Sequence, residues 1–265
     1  MSASVSRPIR TMVSVSLALL FAGPGIAVAQ RIEVEGRAWI PEISARAKIE
    51  GGSSSPGTPI DLGRDLGIDS EPLPELRLSI FTGPNSRLRL AYTHGRWDGD
   101  AIIGQGIEFN GTQFPAGSRV VSDLDLHYAR LGWIWQPWLI PDRLRLGPIL
   151  EAKAFVAEMT LEAPALVPRL KETEHVTVVV PTIGVAADFR MNSVISLFLE
   201  ASGLSVGHPG YVVDAETGVR VTVNRFLSVA GGYRFFEIHG EERRSFAHLR
   251  LSGPFVGASL RFSAR

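Results

Sequence analysis

From residue 74 onward the chain alternates between apolar and polar residues, and that period fixes its backbone as strand. In ELRLSI, Leu76, Leu78 and Ile80 fall on one face and Arg77 and Ser79 on the other. RLRLAY sets Leu88, Leu90 and Tyr92 against Arg87, Arg89 and Ala91, and DLDLHY sets Leu124, Leu126 and Tyr128 against Asp123, Asp125 and His127. AETGVRVTVN opposes Ala215, Val219 and Val221 to Glu216, Arg220 and Thr222. Successive side chains of a strand point to opposite faces, so a period of two marks strands with one apolar and one polar side. No sustained stretch carries the 3.6-residue period of an amphipathic helix.

Turn residues cut the alternating chain into ten predicted strands: 31–50, 74–82, 87–98, 118–135, 143–161, 175–189, 194–206, 211–223, 226–239 and 246–263. Short connections at GPNS (83–86), QPWLIPD (136–142), RMNS (190–193) and NR (224–225) alternate with longer ones, above all 51–73, 99–117 and 162–174. Several strands exceed the roughly 5–6 residues usual in soluble sheets. Long strands, even in number, with short turns at one end and long loops at the other predict an all-β, antiparallel, up-and-down transmembrane barrel. Pro41 interrupts the first strand and could fold it into a hairpin, so eight or twelve strands are the alternatives to ten.

A β-sandwich is the competing architecture, with its apolar faces turned to a core and its polar faces to water. The rows of charge decide between them. Opposite the apolar rows stand Arg37, Arg46, Lys48, Arg77, Arg89, Lys153, Arg190, Arg220, Arg234 and Arg250, together with Glu33, Glu35, Glu50, Asp123, Asp125, Glu151, Asp188, Glu200, Asp214 and Glu216. The interior of a small barrel is just wide enough for side chains to fill, and buried charges need partners. The balance of signs therefore predicts a lumen closed by ion pairs. It also argues against a wide pore, which takes 16–18 strands.

The aromatics fit a membrane girdle in part. Trp133, Trp135 and Trp138 cluster beside a short turn, and Trp97 and Tyr211 lie near the long-loop ends, whereas Trp39 falls on the polar face as a lumen or bulge residue. The first 29 residues read as a secretory signal: Arg7 and Arg10, the apolar run MVSVSLALLFAG, and AVA before Gln30. Removing them leaves 25 basic against 27 acidic residues, neither a nucleic-acid footprint nor an acidic tail. The chain has no cysteine, which excludes disulfides and thiol chemistry.

The last strand, GPFVGASLRFSAR, carries Gly257, Leu260 and Phe262 in the order G-x-x-apolar-x-aromatic. In this and in its strand plan the mature chain resembles the small outer-membrane β-barrel proteins of Gram-negative bacteria, of the OmpA and OmpW kind. GGYRF at 231–235 resembles a late strand of the same proteins. The resemblance implies residence in the bacterial outer membrane after export through the periplasm, and outer-membrane lipids as neighbours. It also implies recognition of Gly257, Leu260 and Phe262 by the barrel-assembly machinery, although Ser263, Ala264 and Arg265 follow where such chains more often end. No cofactor is expected, and surface ligands would meet the loops.

Two clusters could carry chemistry. Asp123, Asp125 and His127 share a strand face at a spacing that suits a general base beside a carboxylate, as in the omptin-type outer-membrane proteases. The second acidic pair of that type is not identifiable, and the alternative is a set of lumen residues paired with Arg89 or Lys153. Asp61, Asp65 and Asp69 lie four apart in PIDLGRDLGID, a candidate for a metal without the calcium-loop pattern. The alternative is a compact loop in which Leu62, Leu66 and Ile68 fold over the barrel mouth. A lipid A deacylase would need Ser and His on neighbouring strands, but His175, His239 and His248 stand in no H-x-S pattern. NGT at 110–112 reads as a loop turn in a bacterial protein. The leading expectation is a non-enzymatic outer-membrane barrel with a structural or surface-contact role, the alternatives being a rim-site hydrolase and a narrow passive channel.

Overall fold

The computed structural model describes residues 31–48, 57–205, 207, 210–242 and 245–263; the expected signal segment and Glu50 lie outside them. In chain order the elements are β1 (Arg31–Trp39), β2 (Glu42–Lys48), β3 (Ile60–Asp61), α1 (Leu62–Leu66), β4 (Leu73–Phe81), β5 (Ser86–Ile102), β6 (Ile107–Phe109), β7 (Thr112–Phe114), β8 (Arg119–Trp135) and β9 (Trp138–Ile140). There follow β10 (Leu144–Ala163), β11 (Leu170–Arg190), β12 (Ile195–Ser205), β13 (Gly210–Thr222), β14 (Leu227–Glu242) and β15 (Ser245–Ser263). Each barrel strand pairs antiparallel with its neighbour in the order β1, β4, β5, β8, β10, β11, β12, β13, β14, β15, and β15 returns to β1. Ten strands thus close a barrel, and closure removes the sheet edges through most of its height.

Pro41 does not make a hairpin. Trp39 pairs with Phe255 and Glu42 with Ser252, so the register against β15 runs unbroken from β1 into β2. Ile40 donates its N–H to Pro254 O at 2.9 Å, toward β15. Successive amides of a strand point to opposite sides, so the donor that Pro41 lacks would point to the β4 side. Leu73, the first residue of β4, pairs with Trp39. The proline stands where its neighbour strand has ended, a position that needs no donor.

The polarity of the wall reverses part-way up. Toward the short-turn end the outward residues are apolar and the inward ones charged: on β10, Leu146, Leu150 and Val156 face out while Glu151 and Lys153 are buried inside. Farther up the same strand Glu158 and Glu162 face out, and Phe155, Met159 and Leu161 are buried inside. β8 does the same, with Leu131, Trp133 and Trp135 outward below, and Asp123, Asp125 and His127 outward above. The lower part is a membrane barrel, with an apolar belt and a polar lumen. The upper part is built like a soluble barrel, with an apolar core and a polar skin.

This reversal corrects the assignment of several charges. Arg46 and Lys48 on β2, Asp123 and Asp125 on β8, and Arg250 on β15 lie on outward positions above the belt rather than in the lumen. Trp97 likewise leaves the expected girdle and is buried to 1 % within the upper core. Trp39 is a lumen residue, donating its Nε1–H to Gly253 O at 3.3 Å. Trp133 and Trp135 keep their outward places beside the short turn, Trp133 donating to Ser86 Oγ at 2.8 Å.

Loops fill the upper core. Above Leu73 the wall between β2 and β5 lacks a long strand, and α1 packs there with Leu62, Leu66 and Ile68 buried. Asp61 caps α1 by accepting from Arg64 N at 3.1 Å, and Gly67 ends it in the left-handed region at φ 69°. Gly99 on β5 permits the approach, since a Cβ there would lie 2.4 Å from Leu66 O. The hairpin β6–β7 turns at Asn110 and Gly111, both at positive φ, as the Asn-Gly pair of a tight hairpin requires. It brings Ile107, Phe109 and Phe114 into the same core. β11 stands higher than β12, which pairs only Ile183–Arg190, and along Leu170–Thr182 it has β10 as its strand partner.

Arginine substitutions should map the reversal. On the outward face, Leu131→Arg in the belt should cost about 2–4 kcal/mol, whereas Glu158→Arg above it should cost less than about 1 kcal/mol. Urea unfolding of each variant in lipid vesicles measures both.

Candidate functional site

The lower lumen is filled by one continuous ion-pair network. Asp214 on β13 accepts from Lys153 Nζ at 2.9 Å, from Arg234 Nε and Nη2 at 3.0 and 2.9 Å, from Arg130 Nη1 at 3.3 Å and from the Tyr128 hydroxyl at 2.8 Å. Glu75 on β4 accepts from Arg130 at 2.7 Å, Arg234 at 2.6 Å, Thr93 at 3.0 Å and its strand neighbour Arg77. Glu216 meets Arg77 at 2.8 Å and Arg37 at 3.2 Å, and Arg37 also holds Glu35 at 2.7 Å. Lys153 and Arg89 share Glu151, and Arg89 and Arg87 share Glu200. Arg77, Lys153, Arg234, Glu75, Asp214 and Glu216 are all buried. Gly257 on β15 makes room for this packing, because a Cβ there would lie 2.6 Å from Arg37 Cγ.

Aromatic rings lie over the network and separate it from the upper core. Tyr128 and Phe155 stack with centroids 4.5 Å apart, Phe236 tilts against both, and the Arg234 guanidinium lies 4.6 Å from the Trp39 ring. Guanidinium against ring is favourable where water is absent. The lumen is thus closed first by charge and then by apolar packing.

Sequence pattern located Arg37, Arg77, Arg89, Lys153, Arg234, Glu35, Glu151, Glu200, Asp214 and Glu216 on this face. It missed Glu75 and Arg130. Glu75 has the parity of Arg77 and was legible; Arg130 was not, because a single phase for β8 puts it with the apolar residues.

Asp125 and His127 do come together, on the outside of the barrel and with a partner that sequence did not indicate. His94 on β5 pairs in register with His127, and the two imidazoles stack at 4.7 Å. Asp125 Oδ1 lies 3.1 Å from Nε2 of each, and the Tyr92 hydroxyl lies 2.7 Å from His127 Nδ1. Asp123 turns aside to Arg96 at 2.6 Å. Among the described residues, His94, Asp125 and His127 form the one group of three whose ligand atoms fall within 4.8 Å of one another. Two imidazoles and a carboxylate suit a divalent transition ion. Asp61 and Asp65 instead serve the backbone and salt bridges of α1: Asp65 accepts from Asp61 N at 2.9 Å, and Asp61 pairs with Arg46 at 3.2 Å.

Comparison with known proteins agrees with the architecture. A family model described as YfaZ precursor matches residues 159–262, the run from β10 to the closing strand. No curated protein matches the chain in sequence. Among solved structures, the outer membrane protease OmpT from Escherichia coli is similar at a TM-score of 0.55 and 9% identity, over 89% of this chain and 98% of that one. The attachment invasion locus protein Ail of Yersinia pestis matches at a TM-score of 0.37 and 9% identity, over 89% and 100%. The translocator domain of the autotransporter NalP from Neisseria meningitidis matches at 0.43 and 12%, over 87% and 88%. The chain has the closed ten-strand fold of an outer-membrane β-barrel.

Breaking the network should cost far more than breaking a surface pair. Arg234→Met leaves Asp214 and Glu75 each short of a cation and should destabilise the barrel by about 3–5 kcal/mol. Arg119→Met, which removes an exposed pair with Asp100, should leave the unfolding midpoint nearly unchanged. Vesicle-based unfolding titrations compare the two.

Proposed function

We propose that this outer-membrane barrel is non-enzymatic and closed to solutes, and that it acts through its extracellular surface. The observation that carries the reading is the doubly filled interior: an ion-pair network in which each buried carboxylate among the described residues has a cation partner, and above it a core packed by α1 and the β6–β7 hairpin. A passage for ions would have to part both, and each buried ion stripped of its partner is costly.

The hydrolase alternative rests on His94, Asp125 and His127. A general base needs a groove that presents a substrate within hydrogen-bond reach. This cluster stands on the convex outer wall, close above the belt residues Tyr92 and Leu131, and it lines neither the cavity at the short-turn end nor the pocket beside α1. Such a position favours contact with lipid headgroups or a partner over turnover.

In a planar bilayer the purified barrel should show no large steady conductance. A stable conductance of porin size in the unmodified protein would make it a channel.

A further inference from the structure

Beneath the network, at the short-turn end that faces the periplasm in an outer-membrane barrel, the lumen opens into a cavity of about 630 Å³. Its charge is not balanced. Arg31, Arg87, Arg145, Arg190, Arg220 and Arg261 line it, against Glu33 and Asp188. Three of the six are engaged: Arg261 with Glu33 at 3.0 Å, Arg220 with Asp188 at 3.1 Å, and Arg87 with Glu200 of the network at 2.7 Å.

Arg31, Arg145 and Arg190 form no salt bridge among the described residues, and each is held by an aromatic ring instead. The Arg31 guanidinium lies 3.6 Å from the Phe81 centroid. Those of Arg145 and Arg190 lie 4.5 and 5.0 Å from the Trp138 centroid. Stacking fixes a guanidinium by its face and leaves its N–H edge free to donate; of the three, Arg145 already gives one N–H, from Nη2, to Pro84 O at 2.8 Å. Nε of Arg31 and of Arg145 is buried with no acceptor in reach. A buried donor without an acceptor is costly, as at Arg31 and Arg145, and like charges gathered with Arg190 around one cavity repel one another. An arriving group that carries several oxygens and more than one negative charge relieves both.

We propose that this vestibule binds a multivalent oxyanion, a phosphate or pyrophosphate group taken up from the periplasmic side, through Arg31, Arg145 and Arg190. Arginine matches such groups with paired N–H donors. The cavity lies within the roughly 300–1,000 Å³ range of small-molecule sites, and its ring of guanidiniums selects an anion over an apolar solute. The phosphate could be free or could belong to a lipid headgroup at the inner leaflet; the chemistry at the arginines is the same.

The test is titration calorimetry of the refolded full barrel in zwitterionic detergent at low salt. One arm uses inorganic pyrophosphate; the other uses micelles doped with phosphatidic acid, whose phosphomonoester carries more than one negative charge, with phosphatidylcholine as the neutral control. Saturable binding is expected in at least one arm, and the arm that responds identifies the source. The Arg145→Gln, Arg190→Gln double variant should lose at least tenfold in affinity, and Arg96→Gln on the outer wall should lose none. If the double variant fails to show the heat-modifiable band of the folded barrel, Arg31→Gln takes its place. Absence of saturable binding in both arms would overturn the proposal, as would equal affinity in the folded vestibule variants and the unmodified barrel.

Discussion

Asp214 is buried at mid-lumen, and an ionised carboxylate survives there only where cations reach it. Lys153 from β10, Arg130 from β8 and Arg234 from β14 all converge on it, so strands far apart in the chain are committed to one register. Glu75 draws two of the same arginines toward β4. A slip of one residue in any of these strands would turn its charge into lipid and leave a partner unpaired, two penalties at once. The network therefore selects register as much as it fills space. The breadth of the lumen and the apolar belt outside it both depend on those pairings being made.

The same constraint explains why polarity reverses up the wall. A strand that leaves the membrane exchanges lipid for water on its outer face, so the residues that were apolar there become Glu158, Asp125 or His94. The inner face, released from the need to balance charge, becomes a core of Trp97, Phe109, Phe114 and Met159 beneath the folded loops. The barrel is thus two structures joined along continuous strands. The likeness to OmpT is one of fold, and two such chains at 9% identity share this architecture without any implied sharing of activity.

Strand positions were legible in the sequence because alternation and turn residues are local signals; all ten barrel strands fall within five residues of their expected bounds, β11 beginning five residues early at Leu170. The phase of each strand was legible only within the membrane, and on β8 not there either, since a single phase put the lumen residue Arg130 with the apolar ones. Arg77, Arg89 and Lys153 are inside as expected, whereas Arg46, Lys48, Asp123, Asp125 and Arg250 are outside, because alternation reports two faces and not which one meets lipid. That choice changes between Tyr92 and His94 on β5, in mid-strand, where no turn marks it. His94 was missed for a different reason: its place opposite His127 depends on the β5–β8 register, which no local pattern carries. The candidate site was thus half visible, as one carboxylate and one imidazole lacking the second imidazole.

The central claim is that the ion-pair network and its aromatic cover divide the lumen into compartments that do not communicate. A chain with no cysteine allows this to be measured directly. Thr222→Cys lines the lower vestibule, and Ala157→Cys points inward beside the apolar core above the network. With the barrel inserted in a bilayer and a membrane-impermeant maleimide added on the short-turn side, Thr222→Cys should react readily and Ala157→Cys should not. Comparable labelling of both from that side would show an open path through the network and contradict the account.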